Sequence, residues 1–203
     1  RSGDGGDIRS LREGGMEPMT VNSYLAKIGT SDAIEVLDSM QALVESFDIG
    51  KFGRAIASYD EEELWRLNDK LLSRSSFVKV QARLQALGVK ADEYFWLSVR
   101  DNIVALPEAK DWWEILHQPL QPMTGKLEFT RRAAELLPDG RWTEENFREW
   151  IAAVKETTGC KGRELFMPLR RALTGREDGP ELKTIFILIE QSKAKKRLNG
   201  EKA

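Results

Sequence analysis

The stretch TEENFREWIAAVKETTG, residues 143–159, carries the clearest fold signal in the chain. It starts with a threonine, a residue type that caps helices, and ends with a glycine, the type that most often terminates them. Between these ends Phe147, Trp150, Ile151 and Val154 recur at intervals of three and four residues. That spacing places their side chains on one face of an α-helix. The stretch therefore predicts an α-helix with one buried side.

The same helical period recurs on the amino-terminal side of this stretch. In YDEEELWRLNDKLL, Asp60 and Glu63 fit a capping box, and the apolar stripe that follows consists of Leu64, Leu67 and Leu71. Alternating apolar and polar runs are short and isolated, and no Asn-Gly or Asp-Gly step joins two of them into a hairpin. The sequence therefore predicts an all-α protein of about ten to twelve short helices in two or three bundles.

Two interruptions divide this helical pattern. Ser75 and Ser76 break it near residue 74, and Pro119 with Pro122 breaks it after residue 118. We therefore expect three parts, at residues 1–73, 74–118 and 119–203.

The composition is that of a globular protein, with 203 residues, 41% hydrophobic and 32% charged. No apolar run approaches the roughly 20 residues that span a bilayer, so we expect no membrane segment. The single cysteine, Cys160, has no partner for an internal disulfide, which favours a reduced, cytoplasmic protein. The single histidine, His117, follows an apolar run at a predicted helix end and receives no catalytic role.

Motifs that carry catalysis are not found in the sequence. It contains neither a glycine-rich phosphate loop followed by Lys and Ser/Thr nor a His-Glu-x-x-His pair. Acidic pairs such as Glu61-Glu62 and Glu144-Glu145 fall in first helical turns, where they complement the helix dipole. We therefore predict no catalytic residue, metal site or cofactor in this chain.

Charge is distributed unevenly along the chain. The segment from Lys161 to the end holds eleven Lys/Arg and six Asp/Glu, a net charge of +5, whereas the first 160 residues carry −7 within a total of −2. Such asymmetry indicates a local surface for an anionic partner. Solvated helix faces explain it equally well on charge alone.

The basic segment contains FMPLRRALTGREDGPEL, residues 166–182. Helical spacing predicts a core face formed by Phe166, Leu169 and Leu173. A second face holds Arg163, Arg170 and Thr174. Gly175 is expected to end this helix, and Gly179-Pro180 to start the next, with the proline at its first helical position.

Two interpretations of this corner follow from the residues. An arginine next to a helix N-terminus suits an unstacked, single-stranded nucleic-acid loop, because both offer hydrogen-bond donors and positive potential. Alternatively, the segment is an ordinary helix-turn-helix corner with its arginines in solvent.

The segment 166–182, followed by an apolar run and KAKKRL, closely resembles the carboxyl-terminal end of bacterial glutamyl-tRNA synthetases. DIRSLREGGMEPMTVNSYLAKIGTSD resembles the segment after that family's lysine-rich catalytic loop, and FDIGKFGRAIASYDEEELWRLNDKLL matches its Phe-Asp pattern and Leu-Asn helix. The resemblance covers essentially the whole chain. It implies that residues 1–73 are a stem-contact helical region, and that 74–118 and 119–203 form a two-part α-helical anticodon-binding cage.

The resemblance also implies which residues bind nucleic acid. The arginine of the family's Pro-Leu-Arg motif contacts anticodon bases together with the turn into the next helix, which corresponds here to Arg170, Gly179, Pro180 and Leu182. Thr174, on the same helix face as Arg170, is predicted to bind nucleic acid with them. Some members have threonine where Gly179 stands, so here only a backbone contact is expected at that position.

A further arginine in the first cage bundle helps some members to select the anticodon. Alignment of VRDNIVAL puts Asn102 at that place, and a shift of one or two residues would put Arg100 there. The departure leaves open whether the partner is tRNA-Glu alone or also tRNA-Gln. The adjacent Trp112 and Trp113 cannot both face a core, and neither is assigned to base stacking.

The family attaches glutamate to tRNA-Glu using ATP and Mg, and its catalytic loop ends in a Lys-Arg pair. Arg1 is expected to be the last residue of that loop, so the chain is expected to begin inside a longer protein. Aminoacylation by this chain alone is not expected. The resemblance implies a cytoplasmic monomer. The alternative is an all-α protein-interaction module that kept the fold and lost tRNA binding.

Overall fold

The computed structural model describes residues 7–54 and 56–203. These residues form twelve α-helices: α1 (Ile8–Glu13), α2 (Pro18–Lys27), α3 (Met40–Ser46), α4 (Glu61–Arg74), α5 (Phe77–Ala86), α6 (Glu93–Val99), α7 (Glu108–His117), α8 (Leu127–Glu135), α9 (Glu144–Thr158), α10 (Arg163–Thr174), α11 (Leu182–Leu188) and α12 (Gln191–Leu198). Two 3-10 turns lie at Ile49–Lys51 and Arg100–Asn102. Within the described ranges there is no strand, only an isolated bridge between Thr30 and Phe52. The predicted all-α fold is confirmed, whereas Arg1 lies outside the described residues.

The chain separates into two compact units, the first ending at Lys110 and the second beginning at Asp111. The division falls within α7. The three-part organisation with boundaries after residues 73 and 118 stays a prediction.

Unit 1 is built on the apolar stripe of α4. Leu64, Leu67 and Leu71 pack in a core with residues of α1 and α2, as their spacing predicts. At the start of α4 the Asp60 carboxylate accepts a hydrogen bond from the Glu63 N–H at 3.1 Å. The Glu63 side chain pairs instead with Arg66, so only half of the predicted capping box forms.

A buried amide joins three segments of unit 1. The Oδ1 of Asn68 accepts hydrogen bonds from the Glu17 N–H at 2.8 Å and the Thr20 hydroxyl at 3.0 Å. Its Nδ2 donates to the Val104 carbonyl. Because buried polar groups need partners, this amide fixes how α4 packs against α2 and the residue 104 segment.

Unit 2 has an aromatic core around Phe186 of α11. The ring of Trp142 stacks on Phe186 with centroids 4.1 Å apart, Trp150 lies 5.0 Å away, and Phe147 meets it edge-on at 5.4 Å. The Trp150 indole N–H donates to the Ala133 carbonyl at 2.9 Å. Of the predicted stripe of α9, Phe147, Trp150 and Val154 are buried, whereas Ile151 is only half-buried.

Both predicted ends of α9 are confirmed. The Thr143 hydroxyl accepts from the Asn146 N–H at 3.3 Å, and the Asn146 side chain accepts from the Thr143 N–H at 3.1 Å, which completes a capping box. Gly159 ends the helix with φ +70°.

Replacing the cap tests its contribution to stability. Thr143→Ala is expected to lower the unfolding free energy of unit 2 by about 1 kcal/mol, because the first turn of α9 loses its side-chain cap. Hydrogen exchange of α9 amides measures it. The control is Thr157→Ala, the same change at an exposed position in the last turn of α9. An equal effect of the two substitutions would contradict the capping role.

Candidate nucleic-acid interface

The candidate site is centred on α10 and the turn after it. The buried stripe of α10 consists of Leu165, Leu169, Ala172 and Leu173. The expectation that Phe166 is a core residue was wrong, since its side chain is 41% exposed. Leu165 takes the inward position, because spacing by four from Leu169 keeps it on the same face.

Gly175 ends α10, as predicted. It adopts φ +67°, and its N–H donates to the Arg171 carbonyl at 2.9 Å. Glycine accepts this left-handed conformation without steric cost, so the chain can turn sharply here.

Arg170 holds the turn that follows. Its Nη1 donates to the Asp178 carbonyl at 3.1 Å and to the Pro180 carbonyl at 2.8 Å. Burial lowers the pKa of Arg170, and the nearby Asp178 carboxylate opposes that shift. Both hydrogen bonds come from Nη1, and among the described residues Nη2 of Arg170 has no hydrogen-bond acceptor. The guanidinium is therefore fixed in position while part of its donor edge can serve a ligand.

Gly179 lies against a tryptophan of α7. A Cβ at this position would come within 2.0 Å of Trp112 Cη2, and the φ of Gly179 is +103°. The structure therefore requires glycine here for both space and backbone conformation.

The predicted start of the next helix was wrong. α11 begins at Leu182, and Glu181 precedes it with ψ 140° and no side-chain cap. Because the backbone of Glu181 is not helical, Pro180 lies before the helix rather than at its first position. The turn, not a helix N-terminus, faces Arg170.

The side chains of Thr174, Pro180 and Leu182 are buried. The Thr174 hydroxyl donates to the Arg170 carbonyl at 2.8 Å and accepts from the Arg176 N–H at 3.1 Å. These three residues therefore shape the turn from within. Their contact with nucleic acid stays a prediction, as it does for Arg170 and Gly179.

Sequence reasoning did not find the supporting role of Trp112. Its side chain is almost fully buried, and the Arg176 guanidinium lies 4.9 Å from its ring centroid. Arg176 also lies 3.8 Å from the Asp111 carboxylate. Trp113 is the less buried of the pair and stacks on His117 at 3.7 Å. The role of Trp112 follows from its close contact with Gly179. That contact joins residues far apart in the sequence, so it is apparent only in the folded chain.

Arg100 and Asn102 lie in a 3-10 turn of unit 1, whereas Arg170 lies in unit 2. Asn102 is exposed, and Arg100 donates from Nη1 to the Ser75 carbonyl at 3.2 Å. Arg100 is thus partly committed to its own unit. The role of either residue in anticodon selection stays a prediction.

Among the described residues there is no group of three or more His, Cys, Asp or Glu that could hold a metal ion. Over the same ranges no helix is long and apolar enough to cross a membrane.

Comparison with known proteins relates this architecture to a family. Residues 121–200 match the family model described as "Anticodon binding domain". A glutamate–tRNA ligase 1 of Parvibaculum lavamentivorans is 41% identical over 193 residues, 95% of this chain and 43% of the relative. A glutamate–tRNA ligase of Azospirillum brasilense is 44% identical over 198 residues, 97% of this chain and 44% of the relative.

A solved structure shows the same fold. The glutamate-tRNA synthetase from Elizabethkingia anophelis superposes with a TM-score of 0.75 at 19% identity, over 93% of this chain and 41% of that one. The chain therefore spans less than half the length of the relatives it matches. Residues 121–200 thus match the anticodon-binding-domain family, and nearly the whole length of the chain is similar to part of the glutamate–tRNA ligases.

Proposed function

We propose that this chain is the tRNA-binding, anticodon-recognising part of a glutamate–tRNA ligase, which attaches glutamate to tRNA-Glu using ATP. The observation that carries the proposal is the match of residues 121–200 to an anticodon-binding domain that contains the Arg170 turn. ATP and Mg would act in the part of a full-length ligase that this chain does not match. We propose that the protein is a cytoplasmic monomer and that its partner is tRNA-Glu. Whether it also binds tRNA-Gln is left open.

The geometry of the turn supports recognition of an unstacked loop. Proteins read single-stranded RNA by hydrogen bonds to exposed base edges, and arginine offers a planar set of donors for them. Arg170 loses little conformational entropy on binding, because two carbonyl groups already hold it. A base placed beside the turn would meet the guanidinium together with the backbone around Gly179.

Arg170→Gln tests the proposed base contact. We expect about a tenfold loss of affinity for tRNA-Glu and a smaller loss for an unrelated tRNA, because a base contact is worth roughly 1–3 kcal/mol. Filter binding of both tRNAs at two salt concentrations measures it.

The control for this variant is Arg131→Gln, which removes the same charge at an exposed position of α8. Hydrogen exchange at the Gly175 and Arg176 amides, both bonded within the turn, verifies that the turn persists. Equal losses for the two tRNAs, with an intact turn, would show that Arg170 does not read a base.

A second candidate function is that of a protein-interaction module without tRNA binding. The observation that favours it is a run of exposed apolar side chains in unit 1, formed by Met40, Val44, Phe47, Ile49, Phe52 and Ile56. The charge of −7 in the first 160 residues also repels phosphate. This function predicts no tRNA binding at either salt concentration, so the same titration separates the two candidates.

A further inference from the structure

A cleft of about 330 Å³ opens beside α10 within unit 2. Its lining includes Lys126, Arg163, Glu164, Met167, Pro168 and Arg171. Arg163, Met167 and Arg171 follow one another at intervals of four residues, so they lie on one face of α10. This face differs from the buried stripe. Arg171 also contacts the turn held by Arg170, since its carbonyl accepts from the Gly175 N–H and its guanidinium pairs with Glu177.

The cleft is positively charged. Lys126, Arg163 and Arg171 contribute three cations, against the single carboxylate of Glu164. The Glu177 carboxylate pairs with Nη2 of Arg171 from outside this lining. The net charge of the cleft is still positive, and Met167 and Pro168 give one side of the cleft an apolar surface.

Arg171 has an unsatisfied donor. Its Nε is buried and has no hydrogen-bond partner among the described residues. Buried donors are almost always paired, because leaving one unpaired costs roughly 1–3 kcal/mol. Arg171 lines the cleft, so an acceptor that reaches its Nε from there would supply the missing partner.

We propose that this cleft binds a phosphate group, and that the group belongs to the backbone of the bound RNA. Phosphate supplies several strong acceptors for arginine and lysine, and the apolar side of the cleft suits the attached nucleoside. Arg171 follows Arg170 directly, so the cleft anchors the backbone close to the base that Arg170 reads. The RNA part of this inference rests on the proposed function.

The first test uses inorganic phosphate without RNA. Phosphate is titrated into the whole 203-residue chain, and the Nε–H signal of Arg171 is followed by nitrogen–proton NMR. We expect a saturable shift, and Arg163→Gln should weaken phosphate binding by about fivefold or more. Lys155→Gln, which removes a charge at an exposed position of α9, should leave it unchanged. A shift that does not saturate, or equal weakening in both variants, would overturn the phosphate site.

The second test identifies the source of the phosphate. Affinities for tRNA-Glu and an unrelated tRNA are measured against salt for the wild type, Arg163→Gln and Lys126→Gln. A backbone contact is sequence-independent, so each variant should weaken both tRNAs alike and reduce the slope of log affinity against log salt by about 1. Phosphate binding with unchanged slopes would overturn the assignment to RNA. Because the first test contains no RNA, its result is independent of whether the chain prefers tRNA-Glu.

Discussion

Gly179→Ala is expected to destabilise unit 2 by about 2–4 kcal/mol. The added methyl group would lie 2.0 Å from Cη2 and 2.1 Å from Cζ2 of Trp112. Trp112 is itself packed in the core, so it cannot move aside without disturbing its neighbours. The φ of +103° adds a backbone penalty for any residue with a Cβ. Hydrogen exchange resolved by segment measures the loss, with unit 1 amides as an internal reference.

Gly140→Ala separates the clash from the backbone penalty. Gly140 has φ +78°, and a methyl group added there would meet no heavy atom within 4 Å, so the substitution should cost only about 1 kcal/mol. Trp112→Leu should reduce the additional cost of Gly179→Ala, because the smaller side chain leaves room. If the two glycine substitutions cost the same, the contact with Trp112 does not constrain the turn.

The consequence for binding follows from the position of Gly179. It lies between the two carbonyl groups, of Asp178 and Pro180, that Arg170 holds. Displacing Gly179 therefore moves the acceptors of Arg170. Gly179→Ala should reduce the preference for tRNA-Glu at temperatures where unit 2 is still folded.

Arg197→Met is expected to destabilise unit 2 by about 3–5 kcal/mol. The Arg197 side chain is fully buried, and its guanidinium donates to the carbonyls of Ile115 (2.7 Å), Leu173 (2.7 Å), Gln118 (2.9 Å) and Ala203 (2.8 Å). Methionine fills a similar volume but removes the guanidinium donors from these carbonyls, although the Ala203 carbonyl keeps its hydrogen bond from the Leu120 N–H at 2.8 Å. Burial lowers the pKa of Arg197 to about 10, so the group is still charged at neutral pH.

Arg131→Met is the matched control for this substitution, since Arg131 is exposed on α8. It should change the unfolding free energy by less than about 0.5 kcal/mol. Arg197→Lys should fall between the two, because lysine keeps the charge but cannot direct donors to four carbonyls at once. Equal effects of Arg197→Met and Arg131→Met would show that the buried arginine does not hold α7 and α10 together.

The features that the sequence predicts best are local ones. The ends of α9 depend on the cap at Thr143 and the glycine at 159, which act within a few residues of themselves. Its buried stripe depends only on helical spacing, and so does that of α4. Such signals involve residues that are close together in the sequence, so they can be recognised without knowledge of the fold.

The features that the sequence does not predict depend on distant contacts. Arg197 counts among the positive charges of KAKKRL, yet its side chain is inside the protein, because main-chain carbonyls from α7 and α10 surround it. The need for glycine at position 179 comes from Trp112, a residue of another helix. Phe166 has the right residue type for a core position but lies on the wrong face.

The same distinction between local signals and distant contacts applies to the candidate site. The Pro-Leu-Arg motif and the glycine-proline turn single out a candidate site in the sequence, and its contact with nucleic acid stays a prediction. The partners of Arg170 are backbone carbonyls, and residue letters carry no information about main-chain direction in a turn. For the same reason the orphan Nε of Arg171 is visible only in the folded chain.

Anticodon recognition is tested most directly by changing only the anticodon. Dissociation constants are measured for tRNA-Glu and for the same tRNA with its three anticodon nucleotides replaced, at one fixed salt concentration. We predict that the wild type prefers the unaltered tRNA by about tenfold or more, and that Arg170→Gln loses most of this preference. Equal affinity of the wild type for the two tRNAs would contradict anticodon recognition.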